Sequence, residues 1–469
     1  MIDAVVVGGG PAGIAAAAAL GDLDVVVLEA EQRLGGRLHS LTRDDVWINL
    51  GAHLLTGGDN AITRLAGEAG VGLLPVPGNK TALWFDGRLH NHRRVEEFPL
   101  ALPLTLRERW DLVRFGITLR LGVERWRRAQ RLRQGESAQA HADRLRQYRS
   151  GRTFGQMMRG VSPRVARIFE TAARRSAGEA GRITEGGALA LFGALWVSSG
   201  SASVVNVAGG SGRLGKAWQQ RFGGKAVTGA TVTAVVERAD HAEITYRDRS
   251  GAGHTLRARH VIVAIPASEV PHVVVDLPQD VLREMRDVAY GSFVCVGVLT
   301  SALSSMPWDD IYAIATPDAE FDMLFHHTNP VLKNPGGAAT PRSLMCYAGG
   351  DKAAQLLNLD DEEIRRRFLA QLVQVLPQTA GQVQEAVVMK WRVGNCYPVE
   401  GSSLARTERW NRRRGARVVL AGDYFAPLGG TLEAAARSGH ESAEMVKRAG
   451  ERPVLSGQPV GAPRTDFRS

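Results

Sequence analysis

Apolar runs of two different periods alternate along the chain. IDAVVV (Ile2–Val7) is a β-branched run of strand length, PAGIAAAAAL is a run of strong helix formers, and DVVVLEA is a second strand. AVTGATVTAVVERADHAEITYRDRSGAGHTLRARHVIVAIP reads as a β-meander with a tight turn near Ser250-Gly251, followed by the strand HVIVAIP. FVCVGVLT is a further apolar strand. DDEEIRRRFLAQLVQVL begins acidic and sets Ile364, Phe368 and Leu372 on one face, as a core-facing helix does. LTLRERWDLVRFGITLRL places Leu106, Trp110, Val113 and Ile117 at helical spacing, with arginines over much of the other faces. Near the far end RVVLAGD predicts one more strand, with a helix starting near Thr431. The longest apolar candidate, ALALFGALWV, falls far short of the ~20 residues that span a bilayer.

Composition adds limits. A chain of 469 residues is too long for one ordinary core and predicts two or three domains. Cys295, Cys346 and Cys396 are widely separated and form no CxxC pair, which argues against a disulfide framework or a zinc site. With a first strand already at Ile2, no leader is expected, and the setting reads as cytoplasmic, with a peripheral membrane contact left open. The net charge is +10, and all but seven of the 58 basic residues are arginine. Much of the excess lies between Arg107 and Arg152. That segment reads as a solvated helix face, or as a membrane-surface contact through 104–130; no nucleic-acid motif accompanies it.

The chemistry begins at VVVGGGPAG. Gly8 permits a tight turn, Gly10 lets backbone approach a diphosphate, and Gly13 allows close packing of helix on strand. The helix opening at Pro11-Ala12 offers free N–H groups to phosphate. Glu29 ends the next strand, 21 positions after Gly8, where a carboxylate accepts ribose hydroxyls and disfavours a 2′-phosphate; Ala30 follows it. These features point to a dinucleotide.

The continuation, EAEQRLGGRLHS, resembles the GG-doublet flavoproteins, the broad superfamily of flavin amine oxidases, carotenoid and squalene desaturases and protoporphyrinogen oxidases. The resemblance implies FAD, held non-covalently, with Gly35, Gly36 and Arg37 against the diphosphate and flavin. It likens INLGAHLLTGG to the segment beside the isoalloxazine, where Gly51 and Ala52 allow close approach and His53 points near the ring. It likens Arg417–Val446 to the closing motif. There Gly422-Asp423 meet the ribityl or diphosphate, and the helix start at Thr431-Leu432 offers N–H groups to the flavin pyrimidine. Val232 would meet adenine through its backbone, and Val207–Gly223 resembles the turn and helix that return the chain to the FAD domain. Glu31 stands where arginine is frequent in amine oxidases, and Asn49 where aspartate is usual.

The implied fold is α/β: a Rossmann-like FAD-binding domain assembled from discontinuous segments, with an inserted α+β substrate domain. FAD-binding segments are expected at 1–90, 205–270 and 405–450. A helical insertion is expected at 91–204, a second substrate segment of strands and helices at 271–404, and a poorly ordered tail at 451–469. The implied function is two-electron oxidation of a largely apolar substrate. Catalytic candidates are His53, Tyr397 and Cys295. Cys295 stands where many amine oxidases carry a lysine opposite the flavin, and no lysine occurs between Lys225 and Lys333. Cys396-Tyr397 imitate a pair that in monoamine-type oxidases supplies a flavin link and a wall of the substrate cavity, with Tyr424 a partner for that wall. Adjacent His326 and His327 face opposite ways on a strand, so no metal is expected. The missing lysine and the helical insertion put the desaturase and porphyrinogen-oxidase type first, the amine-oxidase type as the alternative, and a sugar-nucleotide mutase behind both.

Overall fold

A computed structural model describes residues 1–77, 81–92, 95–176, 178–195, 204–332 and 339–450; the expected tail lies outside the described residues. Two seven-stranded sheets dominate. The parallel centre of the first runs Ala226–Thr228, Val25–Glu29, Ile2–Val7, Gly253–Val263, Val418–Leu420. The chain thus returns twice, across hundreds of residues, to complete it. The meander Thr231–Glu237, Ala242–Arg247, Gly253–Val263 extends the sheet antiparallel. HVIVAIP is not a separate strand. It is the second half of Gly253–Val263, which pairs with the meander through Ala258 and with Ile2–Val7 beyond it.

The helices Pro11–Leu20 and Leu432–Gly450 lie on one face of this sheet, over Val6, Val27, Ile262 and Val419. They touch at backbone distance: a Cβ on Gly439 would sit 1.9 Å from the Ala12 carbonyl oxygen. First and last helix are therefore one packing unit.

The second sheet runs Val383–Cys396, Tyr290–Leu303, Thr340–Gly349, Met323–His326, Ala313–Ala315, Thr81–Phe85, Arg88–His92. The last two strands lie within the first 92 residues, so the chain leaves the first layer by Thr81, before residue 91. Val294, Val296 and Val298 face the helix Asp361–Val375, whose Ile364, Phe368 and Leu372 are buried as the spacing predicts. The opposite face meets the small hairpin Ser40–Arg43 and Val46–Asn49. Gly297 has no room for a side chain there, because a Cβ would lie 2.2 Å from Ile48 Cγ2.

The helical insertion contains the helix that the spacing predicts, with a second stripe facing inward. Leu106–Ala129 is a 24-residue helix closed by a capping box at Thr105 and Glu108. Its buried face is Asp111, Phe115, Leu119, Val123 and Trp126. The stripe Leu106, Trp110, Val113, Ile117 lies on the opposite side in solvent, at 86%, 65%, 37% and 56% exposure. Both stripes obey the same period, and burial of the second was settled by Phe154, Phe169 and Leu189 packing onto it.

Candidate active site

The opening turn is built by steric necessity. Gly8 has φ +99°, and a Cβ there would meet the Ala264 carbonyl oxygen at 2.6 Å; a Cβ on Gly13 would lie 1.8 Å from the Gly8 carbonyl oxygen. Gly10 differs: nothing stands within 4 Å of its would-be Cβ. It caps Pro11–Leu20 with no side-chain hydrogen bond, so the helix start faces an open cradle. Glu29 accepts from Gly9 N at 2.6 Å and Glu31 N at 2.7 Å. Burial raises its pKa, and these two N–H donors oppose the rise. Ala30, next in the chain, is exposed, and Ala230 N donates to the Glu29 carbonyl two residues before Val232.

The glycine doublet folds back on this turn. Gly35 N donates to the Gly9 carbonyl, and Gly36 approaches Gly10 at 3.1 Å from a would-be Cβ to Cα. Arg33 fixes the loop by donating to the Gly36 and Leu38 carbonyls. Arg37 then spans the molecule. It donates to the Gly394 carbonyl and pairs with Asp423 at 2.9 Å. Asp423 is also the neighbour of Cys396, whose buried thiol is pushed well above its usual pKa by burial and by that carboxylate.

Ala52 N donates to the Arg37 carbonyl, and a Cβ on Gly51 would strike that same oxygen at 2.2 Å. Trp391 Nε1 donates to the Leu50 carbonyl at 2.7 Å. Residues 50–52 are thus wedged between Arg37 and Trp391. Asn49 sits just before them and accepts from Ser211 N at 2.9 Å, which accounts for an amide where aspartate is usual: one acceptor suffices.

His53 follows. Its Nδ1 lies 3.2 Å from the Gly51 carbonyl, so that nitrogen carries the proton and Nε2 is an acceptor, buried and without a partner. Burial lowers its pKa to about 3, so the ring is neutral at ordinary pH. It meets Phe325 edge-on at 4.6 Å and His327 at 4.5 Å. Phe325 lies parallel to Tyr347 at 5.6 Å and to His327 at 6.3 Å. Together they make an aromatic floor on the second sheet, with Cys295 in the same cluster. Burial pushes the Cys295 thiol up to about 12, so it stays protonated. Lys390, one position along from Cys295's strand partner Met389, turns away and is held by Asp361 and the Leu359 carbonyl. His326 faces Trp308, on the other side from His327.

Tyr397 does not join this floor. It is buried in the helical core, with the Arg182 guanidinium over its ring, while Tyr424 packs on Phe425 in another cluster. Both border one small cleft beside Cys396. At the closing motif, Gly422 N donates to Ser438 Oγ, Thr431 Oγ1 accepts from Ala434 N, and the helix Leu432–Gly450 begins with Thr431 exposed. Sequence reasoning missed Phe325, Tyr347, Tyr312, His327 and Arg175. In sequence the aromatics read as core alternation, and Arg175 is one arginine among dozens.

A flavin dinucleotide fits these residues. The cradle at Gly10 has room that any side chain would take, the helix start there is uncapped, and Glu29 stands at the strand end.

The family model of flavin-containing amine oxidoreductases matches residues 11–447. Human flavin-containing amine oxidase B is 49% identical over 104 residues, 22% of this chain and 19% of that protein. Pig flavin-containing amine oxidase A is 38% identical over 74 residues, 15% of this chain and 14% of that protein. The matched region thus spans a fifth or less of these curated relatives. Among solved structures, cyclohexylamine oxidase from Brevibacterium oxydans IH-35A superposes with a TM-score of 0.75 at 18% identity, covering 96% of this chain and 100% of that one. Wild-type putrescine oxidase bound to putrescine superposes with a TM-score of 0.70 at 18% identity, covering 95% and 99%. At such identity the likeness is one of fold.

Proposed function

The chain belongs to the flavin-containing amine oxidoreductase family, and from that premise we propose that it is an FAD-dependent oxidoreductase acting on a carbon–nitrogen bond. The desaturase and porphyrinogen-oxidase type, placed first on the sequence, gives way here, because the relatives that match are named amine oxidases. One observation carries the reading: the wedge Gly51–His53, pinned by Arg37 and Trp391, closes against the aromatic floor of Phe325, Tyr347 and His327.

Each residue has a part in it. Gly8, Gly10 and Gly13 shape the turn on which the start of Pro11–Leu20 receives the diphosphate, with Pro11 and Ala12 in its first turn. Glu29 would take the ribose hydroxyls, beside Ala30, and Val232 would border the adenine. Gly35, Gly36, Arg37, Gly51 and Ala52 would hold the ring, with Asp423 and the helix start at Thr431-Leu432 on its other side. When bound, FAD supplies the two-electron acceptor. The floor excludes water, and the neutral His53 ring packs edge-on against Phe325 and His327 as part of it.

The test is anaerobic titration of the yellow holoprotein, first with primary and secondary amines, then with apolar alkenes. Bleaching by amines is expected; bleaching by alkenes alone sinks the reading. Acid precipitation is expected to release all the flavin, since the protonated Cys396 thiol is a poor nucleophile.

The exposed stripe on Leu106–Ala129 supports a second proposal, docking on an anionic lipid surface. Six of the large apolar side chains standing in solvent, Leu100, Leu106, Trp110, Val113, Ile117 and Leu121, gather here. At about 100° per residue, Arg107, Arg114 and Arg125 flank the stripe on one side and Arg120 and Arg127 on the other. The apolar centre suits acyl chains and the Arg107 and Arg125 margin suits anionic headgroups, while Arg114, Arg120 and Arg127 are shared with Asp111, Glu96 and Glu124. No helix among the described residues is long and apolar enough to cross a membrane.

A further inference from the structure

Arg174 and Arg175 stand side by side at the end of the helix Pro163–Arg174, and the fold treats them in opposite ways. Arg174 is ringed by carboxylates: Glu179 at 3.2 Å, Asp322 at 3.6 Å and Glu170 at 3.9 Å. No ion pair joins Arg175 to a carboxylate among the described residues; its polar neighbours are the uncharged hydroxyls of Tyr347 and Tyr312. Arg175 is half-buried, and desolvation lowers its pKa from the usual guanidinium value. Its Cζ is 5.8 Å from the Phe325 ring centre, and its carbonyl accepts from Tyr347 Oη at 3.0 Å. The next residue, Ser176, accepts from Asn395, which stands beside Gly430 at the start of the closing helix. Residues 175 and 176 therefore link the aromatic floor to the start of the closing helix.

The groups around it carry no compensating charge. His53 and His327 are held neutral by burial, and Tyr312, Tyr347 and Cys295 are held protonated by it. A buried cation without a partner is expensive, and folds keep one where an anion will arrive. Its field repels a bare ammonium ion and attracts a carboxylate. The walls meanwhile select an apolar or aromatic body.

We propose that Arg175 binds a substrate carboxylate, so that the substrate is an apolar or aromatic amine that also carries a carboxylate. This rests on the amine reading above. Arg175 fixes the carboxylate through its guanidinium fork while the aromatic floor holds the apolar body.

The test uses holoenzyme and matched probes: phenylalanine, phenethylamine and 3-phenylpropionate. Binding is read from the shift of the flavin absorption band, reduction from anaerobic bleaching, and fold from thermal unfolding. Phenylalanine and 3-phenylpropionate are expected to bind on the order of tenfold or more tighter than phenethylamine. Arg175→Met is expected to remove that preference without lowering the unfolding temperature, and Arg175→Lys to restore part of it. If carboxylates bind through Arg175 but no amine or amino acid bleaches the flavin, the amine reading fails and the anion site stands. If amines bleach the flavin and Arg175→Met alters neither carboxylate binding nor the preference, the anion site is overturned and the amine reading stands.

Discussion

Arg37 and Asp423, separated by most of the chain, meet at 2.9 Å with the carboxylate almost fully buried. The pair locks the glycine doublet to the closing motif. Arg37→Gln strands the Asp423 carboxylate beside the Cys396 thiol, which is expected to destabilise the fold by about 3–5 kcal/mol. Asp423→Asn keeps the shape and should lose less. Urea unfolding of both variants checks this; an unchanged midpoint for Arg37→Gln would refute it.

Gly13 and Gly10 should separate folding from cofactor binding. Gly13→Ala puts a methyl 1.8 Å from the Gly8 carbonyl oxygen and is expected to prevent native folding. Gly10→Ala meets open space, so the apoprotein should unfold at the wild-type temperature while FAD affinity drops on the order of tenfold or more, because the methyl takes room and N–H access meant for phosphate. FAD titration by fluorescence quenching decides it: wild-type affinity in Gly10→Ala would mean the cradle is not the diphosphate bed.

Acid should weaken the protein well before carboxylates titrate. Burial holds His53 and His326 near pH 3 and lowers His327 in the same sense. An unfolded histidine titrates near ~6.5. Between about pH 6.5 and 3 the unfolded chain takes up protons that the folded one refuses, so stability is full above 6.5 and falls with pH. At pH 5 His53 and His326 each contribute a loss of about 2 kcal/mol. The unfolding temperature of apoprotein should drop steeply from pH 7.5 to 5, and less steeply in His326→Leu. Identical drops would count against this account.

Vesicle sedimentation tests the basic apolar face. Full-length protein should pellet with vesicles containing anionic phospholipid, less so with neutral ones, and binding should weaken with salt. Ile117→Glu with Leu121→Glu should abolish pelleting at unchanged stability, because both side chains are exposed. If the protein ignores vesicles, or light scattering shows the face buried in a dimer, the proposal fails.

The parts of the molecule readable from sequence are those where backbone geometry leaves one residue type. Gly8 and Gly13 are dictated by a positive φ and a carbonyl contact, and they announce the turn. The two stripes of Leu106–Ala129 are the reverse case. Periodicity marks both, but only the partners Phe154, Phe169 and Leu189, distant in sequence, decide which is covered. The floor was illegible because Phe325 and Tyr347 come from separate strands and meet only through register. Likewise, a missing lysine describes one strand position, whereas the cation near the floor arrives from the end of a helix more than a hundred residues earlier.

The strand Val418–Leu420 occupies a place beside Gly253–Val263, in the sheet that Ile2–Val7 begins. During synthesis at about 5–20 residues per second, the sheet begun at the N-terminus therefore waits on the order of tens of seconds for its last strand to leave the ribosome. Until then its valine-rich strands are an exposed, aggregation-prone surface, so yield in a heterologous host should depend more on holdase chaperones and slow growth than on the stability of the finished enzyme.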